Sequence, residues 1–202
     1  MKKINRFRNF VGSGTLTIFD IDETLFHTYA KVTVVKDGKT VRSLDNQEFN
    51  TYKRKKGETY DFGEFANAEV FRNSSKPITR MVAKTKAIFA NSKKNPHSRV
   101  IMCTARSDFD NKDIFLQTFR DHGLPIDNIH VERAGNLKID SSAEAKKIIF
   151  RKYINTQNYI KLRLFDDAPS NLHAFLSLQK EYPNIKFEAY FVNPDGSVKT
   201  VR

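Results

Sequence analysis

Residues 15–25 constrain the fold more than any other stretch of the chain. The run from Thr15 to Phe19 is rich in β-branched and aromatic residues, which favour a buried β-strand. Directly after it come Asp20 and Asp22, separated by one residue, and then Thr24. Ligands of open α/β sheets bind beyond the carboxyl ends of the strands, where such side chains can meet them. The stretch therefore predicts an α/β fold with a site at this strand end, and an acidic turn that caps a helix is the alternative.

Two further apolar runs also end in polar side chains. The run Arg99–Thr104 predicts a second strand, and Arg106 follows two residues later. The run Lys161–Asp166 predicts another strand and ends in the pair Asp166-Asp167. Apolar spacing and end signals predict the remaining elements: helices over Pro77–Asn91, Asp113–His122 and Ser141–Ile154, a short strand Ile129–Val131, and a last strand Glu188–Val192, which a turn over Asn193–Gly196 connects to the tail.

Residues 27–75 interrupt this alternation of strands and helices. The segment from Lys31 to Arg42 predicts a β-hairpin, because two β-prone runs flank Asp37-Gly38. Four consecutive cations follow, with tyrosines on either side: Tyr52, Lys53, Arg54, Lys55, Lys56 and Tyr60. Such a run can follow a phosphodiester backbone and stack a base, and a solvated loop is the alternative. We expect a core of residues 1–26 and 76–202 with an insertion over 27–75.

Net charge, hydropathy and cysteine content limit the class of protein that this chain can be. A net charge of +12 at pH 7 favours an anionic partner, although solubility alone also explains a charged surface. No apolar run approaches the roughly 18 residues of a membrane span, and no apolar signal region follows the basic N-terminus. A single cysteine, Cys103, excludes an internal disulfide and suits a reducing compartment. We expect a cytoplasmic protein without a membrane partner, and nothing in the sequence indicates an obligate protein partner.

The stretch Asp20-Ile-Asp-Glu-Thr24 resembles motif I of the haloacid dehalogenase-like (HAD) phosphohydrolases. Thr104, Lys146 and the pair Asp166-Asp167 resemble motifs II, III and IV, and they occur in the same order along the chain. The helical stretch Lys146–Ile154 resembles the motif III helix of polynucleotide-kinase-type 3′-phosphatases, and Arg106 resembles an arginine of nucleic-acid-end phosphatases. Ser142 departs from that pattern, since those phosphatases carry an aspartate one helical turn before the lysine. Lys147 is the alternative for the motif III lysine.

The resemblance implies a Rossmann-like core with a mainly parallel five-stranded sheet in the order 5-4-1-2-3 and a cap formed by the insertion. It also implies a Mg²⁺-dependent phosphomonoesterase in which Asp20 attacks phosphorus and Asp22 transfers protons. Thr104 and Lys146 complete the expected catalytic set. The expected metal ligands are Asp20, Asp22, Asp166 and Asp167, and the expected substrate contacts are Arg106, Lys53, Arg54 and Lys55.

The resemblance and the charge together favour nucleic-acid 3′-end or nucleotide phosphates as substrates. Two alternatives remain. Asp20-Ile-Asp-Glu-Thr-Leu25 also resembles the opening of the carboxy-terminal-domain phosphatases, which act on phosphoserine peptides. A HAD fold that only binds a ligand is the other alternative, although a binding module needs neither Asp20 nor Asp22.

Overall fold

The computed structural model describes residues 14–157 and 159–202. The basic N-terminal segment with which the expected core begins, residues 1–13, lies outside the described residues. The strands are β1 (Gly14–Phe19), β2 (Phe26–His27), β3 (Val32–Lys36), β4 (Lys39–Leu44), β5 (Glu58–Asp61), β6 (Lys76–Pro77), β7 (Arg99–Thr104), β8 (His130–Arg133), β9 (Tyr159–Asp166), β10 (Lys186–Val192) and β11 (Val198–Val201). The helices are α1 (Asn46–Thr51), α2 (Gly63–Ala66), α3 (Ala68–Ser74), α4 (Thr79–Ser92), α5 (Lys112–Asp121), α6 (Ser142–Ile154) and α7 (Pro169–Ser177).

A mainly parallel sheet forms the centre of a mixed α/β fold. Its strands lie in the order β11-β10-β9-β1-β7-β8. The first strand, β1, pairs in parallel with β9 on one side and β7 on the other, and its side chains from Leu16 to Phe19 are buried. A parallel sheet with helices on both faces buries both sides of its inner strands, which explains the continuous apolar character of β1.

The prediction of five strands is wrong, since the described sheet has a sixth strand, β11, where the sequence predicted only a tail. The predicted turn over Asn193–Gly196 reverses the chain, with the N–H of Gly196 donating to the carbonyl of Asn193 over 2.8 Å. Gly196 has a φ of +77°, a conformation that costs glycine little. Val198 therefore lies opposite Val192, and β11 pairs antiparallel with β10.

Helices cover the two faces of the sheet. One face packs against α3, α4 and α5 in a core rich in phenylalanine, with Phe26, Phe71, Phe115 and Phe119 buried. The other face packs against α6 and α7 through Phe150 and Phe175, and it also contains Cys103. None of the helices in the described residues is long and apolar enough to cross a membrane.

Helix α4 begins later than predicted. Pro77 was expected to start this helix, but it lies in β6 opposite Phe26 of β2, and α4 begins at Thr79. The N–H of the intervening Ile78 donates to the carbonyl of Leu25 over 2.9 Å, which keeps the chain extended before the helix starts. The short β2–β6 ladder thus lies where the chain leaves the core for the insertion and where it returns.

The insertion has its own sheet, in the order β4-β3-β5. Strands β3 and β4 form the hairpin predicted around Asp37-Gly38. Val32, Val34 and Leu44 form a small core there, with aromatic residues of the insertion packed against it. The last helix of the insertion, α3, instead places Phe71 against Phe109 and Phe115 of the main core. The insertion is therefore anchored to the core by α3.

Candidate active site

Asp20 and Asp166 meet at the carboxyl edge of the central sheet. Asp20 follows β1 directly, and Asp166 is the last residue of the neighbouring parallel strand β9. The N–H of Asp20 donates to the carbonyl of Phe165 over 2.9 Å, which holds the two strand ends together. Asp20 is 4% exposed and Asp166 is fully buried. Two carboxylates are thus placed side by side in the interior.

Lys146 lies between these two carboxylates. Its Nζ donates to Oδ1 of Asp20 over 2.6 Å and to Oδ2 of Asp166 over 2.8 Å, and the residue is 1% exposed. Burial alone would lower the pKa of Lys146, but the two carboxylates outweigh burial and raise its pKa above the usual value, so the ammonium is retained. The adjacent Lys147 instead pairs with Glu144 over 3.1 Å at the surface. Of the two lysines considered from the sequence, Lys146 is the one that enters the site.

The carboxylates of Asp20, Asp166 and Asp167 are close enough to hold a metal ion together. One oxygen from each lies within 4.8 Å of the others. Burial raises the pKa of Asp20 well above its ordinary value, and the other carboxylates raise it further against the opposing effect of Lys146. Burial and the Asp166 carboxylate likewise raise the pKa of Asp167 to about 7. Because Lys146 contacts only two of these three carboxylates, a divalent cation would offset the remaining negative charge, and oxygen ligands suit Mg²⁺.

Asp166 is positioned by partners that the sequence analysis did not assign. The Nδ2 of Asn171 donates to both carboxylate oxygens of Asp166 over 3.0 Å, and the N–H of Ala168 donates to Oδ1 over 2.9 Å. Ser142, which departs from the motif III pattern, donates its hydroxyl to Oδ1 of Asn171 over 3.5 Å. The available sequence signal for Asn171 was an asparagine five residues after Asp166, near the Pro169 that begins the following helix.

Asp22, which was expected to be a metal ligand, is not among the three carboxylates that lie within 4.8 Å of one another. Its carboxylate accepts hydrogen bonds from Nη2 of Arg106 over 2.6 Å, from Oγ1 of Thr28 over 2.8 Å and from Oγ1 of Thr104 over 3.2 Å. Burial would raise the pKa of Asp22, but the guanidinium and these hydrogen bonds outweigh burial and hold the pKa below its usual range. The expected site residues Asp22, Thr104 and Arg106 are therefore brought together, around a carboxylate that is ionised at neutral pH.

Arg106 links this carboxylate to the insertion. Its Nη1 donates to the carbonyl of Phe65 over 2.9 Å, and its guanidinium carbon lies 4.6 Å from the centre of the Phe65 ring. The rings of Phe71 and Phe109 lie within 5.6 Å of the same guanidinium, and only 2% of the Arg106 side chain is exposed. The guanidinium of Arg106, which was expected to bind a substrate phosphate, instead donates to Asp22 and to Phe65 of the insertion in this structure.

An open cleft of about 640 Å³, here called the Asp167 cleft, leads away from the candidate metal ligands. Asp167, Phe191 and Pro194 line it from the core, and His27, Tyr29 and Lys31 line it from the start of the insertion. Nδ1 of His27 lies 2.8 Å from Oε2 of Glu23 at the same cleft. The expected substrate contacts Lys53, Arg54 and Lys55 are exposed in the loop before β5 and are not among the residues that line the cleft.

Comparisons of the chain with protein-family models, with curated proteins and with solved structures found no match.

Proposed function

We propose that the protein is a Mg²⁺-dependent phosphomonoesterase of the HAD type that forms an aspartyl-phosphate on Asp20, with nucleic-acid 3′-end or nucleotide phosphates as substrates. The observation that carries the proposal is the contact of both Asp20 and Asp166, at adjacent strand ends, with the buried ammonium of Lys146. The five parallel strands, numbered along the chain, lie in the order 5-4-1-2-3, which is the order that the resemblance implies and which supports the proposal.

Asp20 is the proposed nucleophile. One of its carboxylate oxygens forms a bond to phosphorus while the bond from phosphorus to the ester oxygen breaks. Lys146 orients the attacking carboxylate and neutralises part of its negative charge. A Mg²⁺ ion held by Asp20, Asp166 and Asp167 would neutralise phosphate charge, which lowers the repulsion that an anionic nucleophile meets.

Asp22 is the proposed proton-transfer group. In its protonated form it gives a proton to the departing ester oxygen, and in its ionised form it takes a proton from the water that hydrolyses the aspartyl-phosphate. Arg106, Thr28 and Thr104 all donate to Asp22 and lower its pKa, which favours the ionised form that the second step needs over the protonated form that the first step needs. Inorganic phosphate and free Asp20 are then restored.

Thr104 and Arg106 have supporting roles in this proposal. Oγ1 of Thr104 donates to Asp22 and accepts the N–H of Arg106 over 3.1 Å, so it fixes both the carboxylate and the backbone that carries the guanidinium. The net charge of +12 favours anionic substrates in general, which is consistent with a phosphate ester.

The experiment that tests the proposal compares Asp20→Asn with a matched control. Asp37→Asn makes the same exchange in the exposed hairpin turn, at a φ of +50° that asparagine tolerates. Release of phosphate from an aryl phosphate in Mg²⁺ should fall by orders of magnitude in Asp20→Asn and stay unchanged in Asp37→Asn. An excess of chelator should abolish turnover of the unaltered protein. Turnover retained in folded Asp20→Asn protein would contradict the covalent mechanism.

A further inference from the structure

The Asp167 cleft shares one residue, Asp167, with the proposed phosphate position. Asp167 belongs to the three candidate metal ligands and also lines the cleft. An ester whose phosphate bound at these ligands would therefore have the cleft beside it at Asp167. The volume of about 640 Å³ lies within the range of roughly 300–1,000 Å³ typical of small-molecule sites.

The charges along the cleft favour a ligand with a single phosphate group. Its ionisable lining comprises three carboxylates, Glu23, Asp45 and Asp167, against His27 and Lys31. A polynucleotide that threaded through it would bring further phosphates against Glu23 and Asp45, and like charges repel. The cations Lys53, Arg54 and Lys55, which could neutralise those phosphates, lie outside the lining.

The aromatic residues of the cleft favour a planar ring. Tyr29 is 52% exposed, which is unusual for a large aromatic side chain in this structure, and it lines the cleft together with the half-buried Phe191. The ammonium of Lys76 lies 5.5 Å from the centre of the Tyr29 ring, a cation–π contact that steadies the ring. An exposed ring held in this way provides a surface on which a nucleobase can stack.

We propose, on the basis of the proposed phosphatase function, that the Asp167 cleft selects nucleoside monophosphates, with the base stacked on Tyr29 and the single phosphate at Asp20, Asp166 and Asp167. The base, and not a polynucleotide backbone, then determines substrate preference. Asp45, at the rim that the insertion contributes, supplies a carboxylate that can accept a hydrogen bond from an amino or hydroxyl group of the nucleoside.

The test compares adenosine monophosphate, as its 5′ and 3′ esters, with ribose 5-phosphate, which lacks the base. The kcat/KM of the better nucleotide ester should exceed that of ribose 5-phosphate by about tenfold or more, the effect of one stacked base. Tyr29→Leu should reduce this ratio towards one, and Tyr29→Phe should preserve it. Phe62→Leu is the matched control, because Phe62 is also exposed in the insertion, at 46%, but does not line the cleft. A ratio near one in the unaltered protein, or a ratio that Tyr29→Leu leaves intact, would overturn the proposal.

Two further measurements show which of the two proposals fails, the nucleotide selectivity of the cleft or the phosphatase function. Calorimetric binding of adenosine monophosphate and ribose 5-phosphate to Asp20→Asn protein in Mg²⁺ reports on the cleft without turnover. Base-dependent binding that Tyr29→Leu abolishes supports the cleft even where no substrate is hydrolysed, an outcome that contradicts only the phosphatase function. Hydrolysis without any preference for the base contradicts only the cleft. A higher kcat/KM for a 3′-phosphorylated oligonucleotide than for either nucleotide ester would also overturn the proposal.

Discussion

Removal of the Lys146 ammonium should destabilise the fold far more than removal of its neighbour. Lys146→Met keeps the length of the side chain but leaves Asp20 and Asp166, which are 4% and 0% exposed, without their shared cation. Loss of one partner of a buried ion pair costs about 3–5 kcal/mol. Lys147→Met is the matched control, since its partner Glu144 is 54% exposed and an exposed pair of this kind contributes about 0.3–0.5 kcal/mol. The two variants should therefore differ by about 2.5 kcal/mol or more in free energy of unfolding.

Urea denaturation of both variants, at one pH and in excess chelator, measures this difference. Repetition in Mg²⁺ adds a second comparison, because a cation at Asp20, Asp166 and Asp167 would replace part of the lost charge. The deficit of Lys146→Met should therefore be smaller in Mg²⁺ than in chelator, while the effect of Lys147→Met should be the same in both. Equal and small losses in the two variants would refute the central role of Lys146 in this charge balance. A deficit that Mg²⁺ leaves unchanged would refute the assignment of the metal ligands.

Three further predictions concern the other parts of the site. Asp22→Asn should reduce turnover of alkyl phosphates more than that of aryl phosphates with good leaving groups, measured per folded protein, and equal losses would contradict proton donation by Asp22. The pKa of Asp167 is raised from 3.8 to about 7, so between these pH values the folded protein binds a proton that the unfolded chain releases. The free energy of unfolding in chelator should therefore fall as pH rises from about 4 to about 7. Asp167→Asn should flatten that slope in denaturation curves recorded across the range, and an unchanged slope would contradict the assignment. Simultaneous exchange of Lys53, Arg54 and Lys55 for serine should leave hydrolysis of adenosine monophosphate unchanged, whereas a marked loss would place the run in the site.

The local part of the fold was predictable because its signals lie close together in the sequence. Alternation of apolar strands with helices indicated the α/β class, and the polar residues that end β1, β7 and β9 indicated which edge of the sheet carries Asp20, Thr104 and Asp166. The Asp37-Gly38 turn likewise specified the hairpin of the insertion. These features depend on turn chemistry and on strand direction, and both can be read from a few neighbouring residues.

The remaining features depend on partners far away in the chain. Arg106 binds Asp22 across 84 positions, so its sequence neighbours gave no sign that its guanidinium serves a carboxylate. Pro77 has the spacing of a first helical residue, but its pairing with Phe26 overrides that preference. The antiparallel strand β11 forms because the Asn193–Gly196 turn brings the chain back against β10. The spacing of apolar residues along the sequence does not predict this pairing. Phe71 lies in the insertion by sequence and in the main core by packing.

Strand β1 lies between β9 and β7, and the two aspartates that follow it contact different cations. On the β9 side, Asp20 meets Asp166 and the ammonium of Lys146. On the β7 side, Asp22 meets Thr104 and the guanidinium of Arg106. Burial and the neighbouring carboxylates raise the pKa of Asp20 against the opposing effect of Lys146, whereas the guanidinium of Arg106 outweighs burial and lowers the pKa of Asp22. Two acids only two residues apart thus have pKa values shifted in opposite directions. Attack by Asp20 needs its ionised form, which a divalent cation at Asp20, Asp166 and Asp167 would favour, so the proposed mechanism requires the metal.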